Sequence, residues 1–219
     1  PTLLMTEAQF NSALKEFVNS SEIFSDENVI AMFVPNTYEV YYNISGADLM
    51  KRMEFEFISF WNEERLSKAN MLDLTPVEVV TLASIVHAES VKKDESRIIA
   101  GLYINRLTRG IALQADPTLV FASGDFGLKR VLNIHKQIDS PYNTYLNTGL
   151  PPGPINMPPI HTIDAVLNYE KHNFIFMVAK EDFSGYHNFA ETYREHINNA
   201  NRYQRQLSIE QRKARINRY

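Results

Sequence analysis

The stretch from Leu74 to Glu89, LTPVEVVTLASIVHAE, leaves the chain little freedom in how it folds. Thr75, then Pro76, then Glu78 three residues after the threonine make a capping box with a proline at the first helical position. Leu74 and Val79 are spaced to form the hydrophobic staple over that start. The helix so begun, expected to run to about Val91, carries Val77, Val79, Val80, Leu82, Ala83, Ile85, Val86 and Ala88. It is apolar nearly all round, and a helix of that kind has to be buried with other elements packed about it. At 219 residues, 44% of them hydrophobic, the chain can supply that surround as one domain, or one domain with a small appendage.

The flanking sequence indicates what the surround is made of. Residues Thr6 to Asn19 read as a short amphipathic helix through Ala8, Phe10, Ala13, Leu14 and Phe17. Asn28 to Asn43, rich in β-branched and aromatic residues and interrupted by Pro35, reads as an extended segment. SGADLMKRMEFEFISFWNEERLSKANM then predicts one long helix with Leu49, Met50, Met53, Phe57 and Phe60 inward, so the aromatics of FISFW belong to the core. A further helix is expected from about Asp94 to Arg109, stopped by Gly110 as its left-handed cap. From Ile111 to Pro159 the composition is that of loops, with a proline cluster that favours extended backbone. HTIDAVLNYE reads as a helix, NFIFMVAK as a buried strand and GYHNFA as its partner across a turn at Gly185, before a polar helix from about Glu191 to Tyr219. The order suggests an α+β domain: helix-rich, around a small β-sheet, with a long Pro/Gly-rich loop region lining a cleft.

Several function classes are excluded at this level. With no cysteine there is no disulfide, thiol nucleophile or cysteine zinc site. A net charge of −4 is of the wrong sign for a nucleic-acid binder. SGDFGLKR lacks the glycine spacing of a phosphate loop, no G-x-S-x-G elbow occurs, and the six histidines are scattered without zinc-ligand spacing. No apolar run approaches the roughly 20 residues of a membrane helix. The chain begins at Pro1 without a methionine, and we expect a processed or trimmed product whose upstream anchor, if it had one, is not in this sequence.

Within the apolar helix one residue is out of keeping. Leu82, Ile85, Val86 and Glu89 fall at i, i+3, i+4 and i+7, so a carboxylic acid projects on the flank of the apolar face, between Leu82 and Ile85. Apolar neighbours disfavour its charged form and raise its pKa, which suits a proton donor near neutrality. The plainer alternative is a glutamate at a helix end that reaches water or pairs with Lys92 or Lys93. The downstream loops are rich in Tyr, Asn, Thr and Gly, the residue types that line polar sugar-binding clefts.

The segments LTPVEVVTLASIVHAES, IAGLYINRLTRGIALQADPTLVFASG, SPYNTYLNTGLPPGPI and YHNFAETYREH occur in that order, preceded by VPNTYEVYYN. Together, from about Phe33 to His196, they closely resemble the endolytic murein transglycosylase family, MltG or YceG-like. The resemblance implies an enzyme that cuts peptidoglycan strands internally at the MurNAc-β-1,4-GlcNAc bond and leaves 1,6-anhydro-MurNAc ends. It assigns Glu89 as the catalytic general acid/base, without metal or cofactor. Relatives often carry a second acid two residues earlier, where this chain has His87. Supporting substrate contacts are expected from Gln114, Tyr142, Asn143, Thr144, Tyr145, His187 and Asn188. Asp94, Asp116 and Asp139 are possible second acids, although Asp116, before Pro117, also reads as a helix N-cap.

The resemblance further implies residues 31–219 as the catalytic domain and residues 1–30 as a helical remnant or linker, a LysM-like module being absent or truncated. Peptidoglycan strands, and cell-wall synthases beside them, are the expected partners, with no nucleic acid and with membrane contact only through an anchor outside this chain. The expected location is the extracytoplasmic (periplasmic) face of the inner membrane in the full-length protein, this chain being soluble. Two alternatives stay open: a muramidase that hydrolyses the same bond, and a glycan-binding relative without turnover. The basic tail of Arg202, Arg205, Arg212, Lys213, Arg215 and Arg218 is expected to be a solvated helix with cations at its C-terminal end.

Overall fold

The computed structural model of the chain describes residues 3–128 and 130–216. The protein is mostly helical, with a two-stranded antiparallel sheet. Its centre is α4 (Pro76–Glu89), and every residue from Val79 to Val86 is buried. The capping box forms as expected: the Thr75 hydroxyl accepts from the Glu78 amide, and the Glu78 carboxylate accepts from the Thr75 amide at 2.8 Å. The helix ends at Glu89, not Val91, because Ser90 turns extended and its hydroxyl takes the Lys92 amide at 3.0 Å.

Around α4 pack α5 (Ser96–Thr108), α6 (Asp116–Ser123) and α7 (Ile160–Leu167). Gly110 closes α5 in the left-handed conformation (φ 65°), with the Ile111 amide reaching the Arg106 carbonyl and the Gly110 amide reaching Leu107. α1 (Glu7–Ser20) lies on α2 (Gly46–Phe60), its Phe10, Ala13, Leu14 and Phe17 packed against the core. Strand β1 (Phe176–Ala179) pairs with β2 (His187–Ala190), Phe176 opposite Ala190 and Ala179 opposite His187. The last helix, α8 (Tyr193–Ile216), packs over both strands. Arg202 meets Glu181 at 3.2 Å and Lys213 meets Glu210 at 2.9 Å, while Arg205 and Arg212 are exposed. Arg218 and the Arg215 side chain lie outside the described residues.

Four further expectations need correction. The single long helix after residue 44 is two, α2 and α3 (Glu63–Met71), because Asn62 caps a new start by accepting the Arg65 amide at 3.0 Å. Phe57 and Trp61 are buried as the core reading required. Asn28 to Asn43 forms no strand: Val29–Met32 is a 3-10 turn and the rest is irregular. Bonds such as Ala31 N–H to the Asn28 carbonyl (2.9 Å) and Leu4 N–H to the Tyr42 carbonyl (2.9 Å) satisfy backbone groups there. The loop region after Ile111 contains α6, capped by Gly124 (φ 69°). Strand β1 is half-buried, not buried.

Candidate active site

Glu89 is the last residue of α4, where the buried helix reaches the edge of the core. Its residue surface is half-buried, while its carboxyl group is enclosed enough that burial pushes its pKa from 4.5 up to about 7. The neighbouring Asp116 charge adds to that rise. A hydrogen bond opposes it: Tyr103, buried on α5, donates its hydroxyl to Glu89 Oε1 at 2.7 Å. Burial and the Glu89 charge hold the Tyr103 phenol well above its ordinary range, so it stays a donor.

Two cavities, of about 900 and 390 Å³, open on Glu89. The residues they share are Glu89 and Asp116. The larger is mainly apolar, between α6, Phe126, Leu128, Arg130, Val131, Ile155 and the Tyr203–Gln211 face of α8. The smaller lies against β1 and gathers Tyr103, Arg106, Gln114, Tyr145, His187 and His196.

Asp116 is not the N-cap of α6. Ala115 occupies that position, with Asp116 at the first and Pro117 at the second helical position. Its side chain is left free to accept the Tyr145 hydroxyl. Burial and the Asp116 hydrogen bond raise the Tyr145 pKa. Of the three possible second acids, Asp116 alone lines these cavities; Asp94 takes the Tyr186 hydroxyl at 3.0 Å, and Asp139 lines neither.

The remaining expected contacts divide into two groups. Gln114, Tyr145 and His187 line the smaller cavity. Tyr142, Asn143, Thr144 and Asn188 line neither. Asn143 (0% exposed) donates to the Lys136 and Ile138 carbonyls, and Thr144 (1%) receives the Ala115 amide, so both build the wall and offer a ligand no surface. Tyr142 donates to the Glu27 carbonyl at 3.0 Å, and Asn188 to Glu181 at 2.8 Å. His87 is exposed and lines neither cavity.

Sequence reasoning did not select Tyr103, Arg106 or Glu95. Glu95 (5% exposed) accepts both the His187 amide at 2.8 Å and its Nδ1 at 2.9 Å, which fixes the ring beside the smaller cavity. All three lie on or next to α5, whose apolar face gives a wheel no reason to single them out. Among the described residues, no group of three or more His, Asp or Glu side chains is arranged to hold a metal ion.

The chain is similar to known proteins in sequence and in fold. Stretches of 111 and 119 residues are 38% and 39% identical to proteins named endolytic murein transglycosylase from Streptococcus pneumoniae and Bacillus subtilis, covering 49% and 54% of this chain. They span only 20% and 32% of those relatives. The fold matches the crystal structure of a yceG-like protein from Listeria monocytogenes with a TM-score of 0.68, at 24% identity over 88% of this chain and 64% of that one. The profile of the YceG-like family matches residues 3–202, which is most of the sequence, and the chain therefore belongs to the YceG-like family.

Proposed function

We propose that this chain is an endolytic peptidoglycan lytic transglycosylase, with Glu89 as its single general acid/base. One observation carries the reading: a carboxyl group with a pKa of about 7 stands where two cavities meet. An enzyme cutting inside a strand needs room for sugars on both sides of the broken bond, and the acid has to be protonated near neutrality. Ile155 and Asn156, which follow the proline cluster, are tied to Ser84 of α4 at 3.0 and 2.9 Å and give the larger cavity a fixed wall. Residues 31–219 carry this chemistry in our reading, and α1 buttresses α2.

The chemistry follows from the Glu89 environment. Tyr103 donates to Oε1, which leaves Oε2 to hold the proton. That proton passes to the GlcNAc oxygen as its bond to the MurNAc anomeric carbon breaks. The 6-hydroxyl of the same MurNAc then closes onto that carbon and returns its proton to Glu89. No water is consumed, and an intramolecular nucleophile reaches effective concentrations on the order of 10⁵ M or more. Asp116 faces the same space and can balance positive charge developing at the anomeric carbon.

Asp116 also favours a second reading, since a hydrolase works with two carboxyl groups flanking the bond. End-group mass spectrometry of digested sacculi separates the two. We expect anhydro ends from the unaltered protein and almost none from Glu89→Gln with folding retained. Reducing ends would assign a muramidase, and an active Gln variant would remove Glu89 from the mechanism. The substrate places the activity at the extracytoplasmic side of the cell envelope, with cell-wall synthases as the neighbouring partners. Among the described residues no single helix is long and apolar enough to cross a membrane.

A further inference from the structure

Arg106 is a buried cation, 8% exposed, with no carboxylate partner among the described residues. Its guanidinium donates to the Ala112 carbonyl at 3.0 Å, the Ile175 carbonyl at 2.9 Å and Gln114 Oε1 at 2.7 Å. Arginine has no acceptor, so the Gln114 amide can turn only its oxygen toward Arg106. The amide nitrogen must then face the other way. Gln114 is exposed, lines the smaller cavity, and among the described residues its Nε2 has no acceptor.

The backbone enforces the same placement. Gln114 sits at φ 53°, a left-handed conformation that costs energy for any residue but glycine. Its own amide is tied to the Thr144 carbonyl at 3.0 Å, and the next amide, of Ala115, to the Thr144 hydroxyl at 3.1 Å. The buried Asn143–Thr144 segment thus holds Gln114 in a strained pose, and Arg106 sets which end of its amide is presented. A group that can only donate selects for an oxygen that can only accept. A sugar hydroxyl can accept from such a donor too, but a carbonyl oxygen, which can only accept, is the partner whose chemistry it matches.

We propose that Gln114, oriented by Arg106, is a specificity residue that binds a carbonyl oxygen on a substituent of the glycan. Arg106 is the positioning residue. This rests on the glycan-cutting reading above. Two substituents of such a strand supply carbonyls: the 2-acetamido group of either sugar and the lactyl arm of MurNAc with the peptide it carries.

Gln114→Glu is the informative variant. It keeps shape, still satisfies Arg106 and gives that cation a counter-charge, so the melting temperature should hold or rise. It replaces the cavity-facing donor by an acceptor. Binding is read by calorimetry in the Glu89→Gln background with three soluble probes: N-acetylated peptidoglycan strands, the same strands N-deacetylated, and chitooligosaccharides, which lack the lactyl group. We expect Gln114→Glu to weaken binding of the acetylated strands tenfold or more, and Gln114→Ala, which only removes the donor, to weaken it several-fold. Gln114→Glu should regain affinity for deacetylated strands, whose ammonium suits a carboxylate, a reversal that a merely structural role would not produce. Arg106→Lys, which still only donates, should keep the preference for acetylated strands. If the parent loses deacetylated strands, the acetamido carbonyl is the ligand; if it loses chitooligosaccharides alone, the lactyl carbonyl is. Equal binding of all three probes by the parent and by Gln114→Glu overturns the inference. A parent that binds none of them overturns the glycan reading together with it.

Discussion

Replacing Glu89 by glutamine should make the protein more stable as well as inactive, and the gain should depend on pH. Burial raises this carboxyl from 4.5 to about 7, so the folded state resists its ionisation while the unfolded chain does not. The sign follows from the raised value. The contribution of this one group is fully present below about pH 4.5, fades as pH climbs, and is wholly lost once pH passes about 7. At about 1.36 kcal/mol per pH unit the loss amounts to about 3 kcal/mol. Glutamine keeps the shape and still accepts the Tyr103 hydroxyl, but it never ionises. Thermal unfolding followed by circular dichroism should find the two proteins alike near pH 4.5. Near pH 8 Glu89→Gln should melt higher by roughly 6–12 °C, at about 2–4 °C per kcal/mol for a chain of this size. A variant equal to or less stable than its parent at pH 8 would show that the carboxyl is freely hydrated, and the proton donor of the proposed mechanism would be lost with it. The destabilisation is what a site held ready for acid catalysis has to tolerate.

The two neighbours of Glu89 should move the alkaline limb of activity in opposite directions. Tyr103→Phe removes a hydrogen bond to the ionised form, so the pKa climbs above about 7 and activity should persist about one unit further into the alkaline range. Asp116→Asn removes a repelling charge, lowers the same pKa and should pull that limb to lower pH; pH profiles moving together would contradict the assignment. Gly153→Ala should cost about 3 kcal/mol or more, because a Cβ there would stand 1.9 Å from the Glu27 carbonyl oxygen, and backbone on both sides leaves no side chain to yield. Urea titration measures that loss, and a variant within 0.5 kcal/mol or so of the parent would mean that the two segments separate at little cost.

How much of this molecule could be read from its residues follows the range of the interactions concerned. The start of α4, its burial and the stop at Gly110 were legible because caps and helical stripes are settled within a few positions along the chain. Glu89 was legible for the same reason, as an acid that breaks an apolar pattern. Helix α6 carried comparable local marks, Asp-Pro at its start and Gly124 at its end, but its eight residues are too few for periodicity to stand out against the surrounding loop composition. The break at Asn62 was also local, a cap hidden inside a pattern that reads through it.

By itself, then, the sequence determined a buried helix, the acid at its end and the family to which they belong. Only the tertiary structure decided that Asp116, 27 positions later, shares both cavities with that acid, and that Tyr103 and Arg106 turn from α5 into the same space. It also decided which of the expected contacts reach a cavity and which are consumed by the wall. Those meetings depend on how α4, α5 and α6 cross and on where the connecting loops put their ends. No spacing along a chain encodes the distance between side chains on different helices, because that distance is set by the packing of all the others.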